Sequence, residues 1–244
     1  RACAPKMQMI ECTALMDRVR WIKTADEVAL IRRAADLLDD AYLEVFRRIK
    51  PGDTERKVHA DMMGTCLNLG FEWAHGIFNT FRNTVPYAGE SDLVIEKGDA
   101  IRTDYVAYLQ SYPGHQSRTV IVGPPTPAQR RDYAINIEIH RKSLARCRAG
   151  ARVHDLWQAT MNDYKQAGWP DNHMLIGHSV GPWWHQQEPI LRRQSGHVLE
   201  EGMVLALEPH VNFWHVQDMV LVTKGAPELL SAKFNTDEPF IAAA

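Results

Sequence analysis

Apolar residues recur at helical spacing along several stretches of the chain. Between residues 24 and 49 they fall at every third or fourth position, which is typical of an amphipathic helix with one face on a core. The break at Pro51-Gly52 ends this pattern, and a second one runs from residue 54 to residue 69 and stops at Gly70. The spacing therefore predicts two consecutive helices.

Strand patterns follow these helices, and the whole order then repeats. Predicted strands cover residues 71–81, 100–109 and 119–122, and predicted helices over 127–147 and 153–166 lead to strands over 203–207 and 219–223. Gly52 and Gly150 are 98 positions apart, and so are Gly70 and Gly168. The repeat predicts a pseudo-twofold α+β protein with sheets inside and helices outside.

Composition narrows the classes of partner. The chain has 244 residues, of which 45% are hydrophobic and 24% charged, enough to bury a core without disulfides or metal. A formal net charge of -2, with acids and bases mixed along the chain, argues against nucleic acid or a membrane surface as a partner. The 4 cysteines form no CxxC pair, which favours a reducing, cytoplasmic setting.

Two acidic residues occupy matching places in the two predicted halves. Asp104 and Glu208 each come six positions after a glycine, in IEKGDAIRTD and LEEGMVLALE, and His178 ends a predicted strand, HMLIGH. A carboxylate in an apolar strand needs a charged partner or a metal. Two carboxylates and a histidine therefore form either a metal site or an acid/base cluster around a small substrate. Spacing leaves that choice open, because no motif such as HExxH is present.

Six segments, in order, resemble the pita-bread metallopeptidases, which include methionine aminopeptidase, Xaa-Pro aminopeptidase, prolidase and the metal-free creatinase. The segments are KTADEVALIRRAA, GDAIRTD, SRTVIVG, GHSVGPWWHQQEP, LEEGMVLALEP and QDMVLVTKGAPELL. The resemblance covers about residues 18–235 and implies a pseudo-twofold α+β fold with a curved central sheet flanked by helices. It also implies a catalytic domain over 21–244, with halves 21–123 and 124–244, and a connection over 1–20 from an N-terminal domain missing from the chain.

The resemblance implies a metal site as well. Members that depend on metal hold it with Asp, Asp, His, Glu and Glu; Asp104, His178 and Glu208 match, whereas His115 and Gln217 stand where the two bridging acids belong. An imidazole nitrogen or a carboxamide cannot join two cations as a carboxylate does. We therefore expect these residues to hold one zinc, manganese or iron ion, with metal-free acid/base chemistry as the alternative.

Catalytic roles also follow from the resemblance. His185 matches a histidine that contacts the substrate carbonyl or the developing oxyanion, so we expect it to act in catalysis with His178 and Glu208. Tyr87 is the closest match to a further substrate-contacting histidine. A tyrosine there donates a hydrogen bond but is a poor base at neutral pH.

Other residues near these motifs are candidate substrate contacts. Trp183 and Trp184 lie between the two histidines, where they either wall an apolar pocket or pack the core. Arg118 is expected to bind a substrate carboxylate or to neutralise Asp104. Ser179 stands where peptidases have a glycine, which favours the creatinase branch.

These features predict a hydrolase that cleaves a carbon-nitrogen bond in a small amide, Xaa-Pro dipeptide-like or creatine-like substrate. The expected partners are that small molecule or dipeptide and a second copy of the chain in a homodimer. Two alternatives stay open: a domain that binds a peptide or protein without catalysis, and a lyase acting on a small metabolite. Retention of Asp104, His178, His185 and Glu208 favours catalysis, since a binding module has no chemical need for that cluster.

Overall fold

The computed structural model describes residues 7–84 and 89–243, apart from the side chain of Trp184. Its helices are α1 (Thr13–Trp21), α2 (Ala25–Phe46), α3 (Glu55–Asn68), α4 (Pro127–Arg146) and α5 (Val153–Gln166). The helices predicted from hydrophobic spacing, α2 to α5, are confirmed within a few residues, whereas α1 lies in a stretch expected to be a connection. No helix in the described ranges is long and apolar enough to cross a membrane.

The strands form two five-stranded sheets and a small hairpin. They are β1 (Trp73–Thr80), β2 (Ala100–Leu109), β3 (Tyr112–Gln116), β4 (Thr119–Val122), β5 (Leu175–Gly181), β6 (Trp184–Arg192), β7 (Val204–Leu207), β8 (His210–Val211), β9 (Trp214–His215), β10 (Asp218–Leu221), β11 (Glu228–Leu229) and β12 (Phe240–Ala242). The first sheet has the order β1-β2-β4-β12, with β3 paired to β2, and the second has the order β11-β10-β7-β5-β6. Strand β12 pairs in parallel with β4, so the end of the described chain returns to the first half.

Local signals in the sequence explain where the helices begin and end. The Thr24 side chain accepts from the backbone N–H of Glu27, while the Glu27 carboxylate accepts from that of Thr24, a capping box that starts α2. Gly70 and Gly168 follow α3 and α5 with φ values of +96° and +74°, which glycine adopts without a Cβ clash. These two glycines are related by the sequence repeat, so the same stop is used in both halves.

Each half has its own hydrophobic core between helices and sheet. In the first half, Phe46 of α2 packs in one buried cluster with Phe78 of β1 and Ile101 of β2. In the second half, Trp157 of α5 shares a cluster with Leu205 of β7. The helices therefore cover one face of each sheet.

The two sheets are joined by a pair of backbone hydrogen bonds. The N–H of Ser117 donates to the carbonyl oxygen of Gln217 at 3.3 Å, and the N–H of Gln217 donates back to Ser117 at 3.1 Å. Ser117 lies between β3 and β4, and Gln217 lies just before β10. This junction brings side chains of β2 and β3 close to those of the second sheet.

Candidate active site

A cavity of about 520 Å³ lies between the two halves and is lined by five of the ten predicted site residues. Its wall is formed by His75, Gly76, Ile77, Asp104, Val106, His115, His173, Met174, Leu175, His178, His185, Gln186, Glu208 and His210. Carboxylates and imidazoles from both sheets thus converge on one concave space. A cavity lined by such groups is the first candidate for an active site.

Asp104 and His115 form a pair on the first sheet. They lie on the antiparallel strands β2 and β3, and Oδ1 of Asp104 is 3.1 Å from Nε2 of His115. Burial by itself raises the pKa of Asp104, but the hydrogen bond and the electrostatic interaction with His115 outweigh burial and hold this pKa below its ordinary value. Asp104 is therefore a carboxylate across the physiological pH range.

His178 and Glu208 approach each other on the second sheet. Nε2 of His178 lies 3.8 Å from Oε1 of Glu208, and both side chains are nearly inaccessible to solvent. Burial lowers the pKa of His178 to about 4 and raises the pKa of Glu208 above its ordinary value. Nδ1 of His178 donates to the carbonyl oxygen of Ser179 at 3.0 Å, so Nε2 carries the lone pair of a neutral imidazole.

A glycine allows this close approach of the two strands. Gly177 of β5 has φ +149°, and a Cβ at this position would lie 2.4 Å from the carbonyl oxygen of Ala206 in β7. Any other residue would separate the strands. Gly177 thus sets the spacing between His178 and Glu208.

His185 reaches the cavity from β6. Its ring lies 4.9 Å from the ring of His115 and 6.3 Å from that of His178, between centroids. Burial lowers the pKa of His185 to about 4, and the electrostatic interaction with His115 acts in the same direction. Nδ1 of His185 lies 3.2 Å from the hydroxyl of Tyr108 on β2, a contact across the two halves that no local sequence signal indicates.

Two further histidines that sequence reasoning missed surround Glu208. Oε2 of Glu208 lies 3.3 Å from Nε2 of His215, and the carbonyl oxygen of Glu208 accepts from Nδ1 of His210 at 2.9 Å. One ligand atom from each of these three residues lies within 4.8 Å of the other two. In the described part of the chain, no other trio of histidine, cysteine or acidic side chains meets this spacing. The signal in the sequence is HVNFWH, in which a two-residue turn places the two histidines opposite each other.

Gln217 is in the interior and not among the cavity residues. Its Nε2 donates to the carbonyl oxygen of His115 at 3.1 Å, and its Oε1 accepts from the hydroxyl of Ser117 at 3.4 Å. Both amide atoms are thus engaged by protein groups, and Nε2 of His115 faces Asp104. The amide of Gln217 is therefore held by protein groups and does not line the cavity with the other matched residues.

Arg118 is placed differently from the sequence expectation. Its side chain is fully buried outside the cavity, and its guanidinium donates to the carboxylates of Asp39 and Asp218 at 2.8 and 2.9 Å. It does not line the cavity, and its ion pairs are with Asp39 and Asp218, not with Asp104. The guanidinium also donates to backbone carbonyl oxygens, so its donors are engaged by the protein interior.

The remaining candidates fall outside the cavity or outside the described residues. Trp183 is 67% exposed in the turn between β5 and β6 and does not line the cavity. Ser179 is fully buried, and its hydroxyl contacts the carbonyl oxygen of Val204 at 3.3 Å and Nζ of Lys23 at 3.4 Å. Tyr87 and the side chain of Trp184 are not among the described parts of the chain.

Comparisons with known proteins agree on one family. The model of "Metallopeptidase family M24" matches residues 29–224. The Xaa-Pro dipeptidase of Pyrococcus horikoshii is 29% identical over 223 residues, which is 87% of this chain and 63% of that protein. The Xaa-Pro dipeptidase of Lactobacillus helveticus is 24% identical and covers 88% of this chain and 61% of that protein. The chain thus spans less than two thirds of the length of these relatives.

Solved structures give the same result. The prolidase from Pyrococcus furiosus superposes with a TM-score of 0.83 at 28% identity, covering 89% of this chain and 67% of that one. The X-Pro aminopeptidase from Thermotoga maritima has a TM-score of 0.86 at 22% identity and covers 95% of this chain and 67% of that one. At that identity the second similarity concerns the fold alone.

Proposed function

Because the chain belongs to metallopeptidase family M24, we propose that its cavity hydrolyses a peptide bond in a small Xaa-Pro dipeptide-like substrate. The α+β pita-bread fold expected from the sequence is confirmed by the solved relatives. One observation carries the proposal: Asp104, His178, His185 and Glu208, from both halves of the fold, line a single cavity.

The size and lining of the cavity suit a dipeptide. A volume of about 520 Å³ lies within the range of roughly 300 to 1,000 Å³ for small-molecule sites. Ile77, Val106 and Leu175 supply apolar wall, while the acids and histidines supply a polar end. The relatives named Xaa-Pro dipeptidase support a substrate with proline after the scissile bond.

His185 is the proposed oxyanion donor. In the tautomer that this role requires, the hydroxyl of Tyr108 donates to Nδ1 across their 3.2 Å contact, and the proton on Nε2 is available to the substrate carbonyl oxygen. Such a donor stabilises the negative charge that develops on this oxygen in the transition state. A neutral histidine is required for this tautomer, in agreement with the pKa of about 4 that burial produces.

In the ion-free protein Glu208 is the proposed general base and acid, whereas with an ion bound its carboxylate serves as a ligand. Burial raises its pKa, which brings a carboxylate closer to the neutral range where it can both accept and return a proton. Asp104 has the opposite character, since its pKa is held low, so it supplies fixed negative charge for the substrate amino group or for a cation. Two carboxylates with opposite pKa shifts in one cavity is a pattern typical of acid/base sites.

One divalent ion, zinc, manganese or iron, belongs to the proposal. Imidazole nitrogens and carboxylate oxygens together suit these three metals, and the cluster around Glu208 offers both. When bound, the ion would polarise the scissile carbonyl as a Lewis acid.

We further propose that the protein acts in the cytoplasm as a homodimer. Sedimentation analysis of the purified chain would test whether it forms a dimer.

The test is turnover on matched substrates. Purified chain is incubated with Leu-Pro, Leu-Ala and creatine, and the released amino acids or urea are quantified. We expect hydrolysis of Leu-Pro, a loss of about 100-fold or more in His185→Ala, and normal turnover in His154→Ala. His154 is a suitable control because it lies outside the cavity with Nδ1 on the carbonyl oxygen of Arg193. Turnover of creatine alone, or peptide binding without cleavage, would contradict the proposal.

A further inference from the structure

We propose that Glu208, His210 and His215 form a mononuclear site for a divalent transition-metal ion at the edge of the cavity. This site is distinct from the set of positions matched to the family's ligands, with which it shares only Glu208. The inference deepens the proposed hydrolase and rests on that function for the ion's role, but ion binding itself is measured without substrate.

The distances between donor atoms fit a metal ion. Ligands about 2.0 to 2.2 Å from a tetrahedral centre lie about 3.3 to 3.6 Å from one another. Oε2 of Glu208 and Nε2 of His215 are 3.3 Å apart, so these two already have the required spacing. One ligand atom of each of the three residues lies within 4.8 Å of those of the other two, so small side-chain adjustments are enough to close the site on an ion.

The β8–β9 hairpin holds the two histidines in register. His210 and His215 are direct cross-strand partners, and their ring centroids are 4.7 Å apart. The two-residue turn between them has φ +48° at Asn212 and +71° at Phe213, the signs of a type I′ turn. A left-handed phenylalanine is rare, so the shortest hairpin connection is kept here in spite of local strain.

Contacts of the hairpin with the first sheet fix its position. The ring of Phe213 lies 4.9 Å from the guanidinium carbon of Arg102 and 5.8 Å from the ring of Phe81. The carbonyl oxygen of His215 accepts from the hydroxyl of Thr119 in β4 at 3.0 Å. Donors on a hairpin that is anchored to the first sheet in this way are preorganised, which metal sites require.

Hydrogen bonding selects the right nitrogen of His210. A carbonyl oxygen only accepts, so Nδ1 of His210 must donate to that of Glu208 at 2.9 Å. The lone pair is then on Nε2, which is the nitrogen that can bind an ion. Metal-binding histidines almost always have such an oriented partner on the other nitrogen.

The donor set determines the kind of ion. Two imidazoles and one carboxylate suit zinc or ferrous iron, whereas magnesium and calcium prefer oxygen ligands alone. Asp104 and Glu208 contribute negative charge, and Arg102 is the positive group beside His215. Glu208 and His210 line the cavity and His215 is buried behind them, so an open coordination position would face the substrate space.

The experiment measures ion content and affinity separately from turnover. The purified chain is stripped with a chelator and titrated with Zn²⁺ alone by calorimetry, and Co²⁺ absorption reports the coordination geometry. We expect one equivalent of Zn²⁺, with affinity at least about 10-fold lower in His210→Ala and in His215→Ala. His115→Ala and Gln217→Ala should retain it, and His154→Ala controls for ordinary surface binding.

Folding is monitored by circular dichroism on every variant. His210→Gln, at a half-buried position, provides a variant that keeps a polar side chain and should also lose the ion. The proposal is overturned if the unmodified chain binds no Zn²⁺, if both histidine variants bind normally, or if His115→Ala or Gln217→Ala removes the ion. Zn²⁺ binding at this site without cleavage of Leu-Pro would refute the proposed hydrolase alone. Cleavage without a bound ion would refute this site and the ion in the proposed function, but not the hydrolysis of the dipeptide.

Discussion

Nη2 of Arg118 lies 2.8 Å from Oδ1 of Asp39, and both side chains are completely buried. The other end of the same guanidinium donates to Oδ1 of Asp218 at 2.9 Å and to the carbonyl oxygen of Gln217 at 2.7 Å. Asp39 belongs to α2 in the first half, and Asp218 belongs to β10 in the second. One side chain therefore links the two halves beside the backbone junction that precedes β10.

Replacing Arg118 should lower the free energy of unfolding far more than replacing an arginine in a surface ion pair. Arg118→Met leaves two buried carboxylates without their cation, and removing one partner of a buried ion pair costs about 3 to 5 kcal/mol. Urea unfolding followed by circular dichroism measures the loss. The Arg32→Met variant is the matched control, because Arg32 pairs with Glu228 at the same 2.8 Å with both side chains largely exposed. The free energy of unfolding of Arg32→Met should fall by less than about 1 kcal/mol. Equal decreases in the two variants would show that burial does not set the strength of the Arg118 ion pairs.

Two glycine substitutions should change stability in opposite directions. A Cβ on Gly114 of β3 would lie 2.7 Å from the carbonyl oxygen of Ala34 in α2, so Gly114→Ala pushes the helix from the sheet and costs about 1 to 3 kcal/mol. A Cβ on Gly64, inside α3, meets nothing within 4 Å, so Gly64→Ala gains about 0.5 to 1 kcal/mol from helix propensity. Thermal melting should show a lower Tm for Gly114→Ala and a higher Tm for Gly64→Ala. Shifts of the same sign in both variants would contradict the close packing of β3 on α2.

Stability should fall as the pH is lowered from about 6.5 to 4. Burial holds the pKa values of His178 and His215 at about 4, below the ordinary 6.5 that they regain on unfolding. In this window the unfolded chain binds protons that the folded chain does not, so acid favours unfolding. Above pH 6.5 both states carry neutral histidines, and this contribution to the pH dependence disappears.

Removing one of these histidines tests the assignment. His178→Gln should reduce the slope of unfolding free energy between pH 4 and 6.5 by about 1.4 kcal/mol per pH unit, the value of one proton. Urea unfolding at half-unit pH steps gives the slope for both proteins. An unchanged slope would mean that His178 titrates alike in both states.

Tyr108→Phe should impair turnover through His185. The substitution removes the hydroxyl that lies 3.2 Å from Nδ1 of His185, so the imidazole loses the partner that orients it and selects its tautomer. One hydrogen bond of about 1 kcal/mol corresponds to a decrease of about five-fold in kcat on Leu-Pro, with KM changed less. In Tyr164→Phe, kcat should be unaffected, because the Tyr164 hydroxyl is buried without a hydrogen-bond partner among the described residues. A rise in KM with kcat unchanged in Tyr108→Phe would instead assign the Tyr108 hydroxyl to substrate binding.

Much of the fold follows from local patterns in the sequence. Helix α2 begins at a capping box and ends before Pro51-Gly52, and the glycines at 70 and 168 stop α3 and α5 at equivalent places. These signals act over a few residues, so they can be recognised without knowing the tertiary structure. The matched positions of Asp104 and Glu208 were visible for the same reason, since the repeat places each of them six positions after a glycine.

Long-range pairing decided which side chains share the cavity. Arg118 and Trp183 stand in motifs similar to those of the family, yet one is engaged by interior carboxylates and the other points to solvent. Tyr108 meets His185 only because the two halves pack together. A side chain's direction depends on the register of strands that are far apart in the chain, which no local pattern contains.

Local patterns were enough to identify helices α2 to α5, several of the strands, the repeat, the family, and Asp104, His178 and Glu208 as candidates. What those residues can do depends on how the chain packs. The hairpin register sets His210 opposite His215 beside Glu208, and the junction engages Gln217 with Ser117 and His115. Metal binding and proton transfer depend on distances of a few ångströms between donor atoms. Those distances are set by the packing of strands that are far apart in the chain.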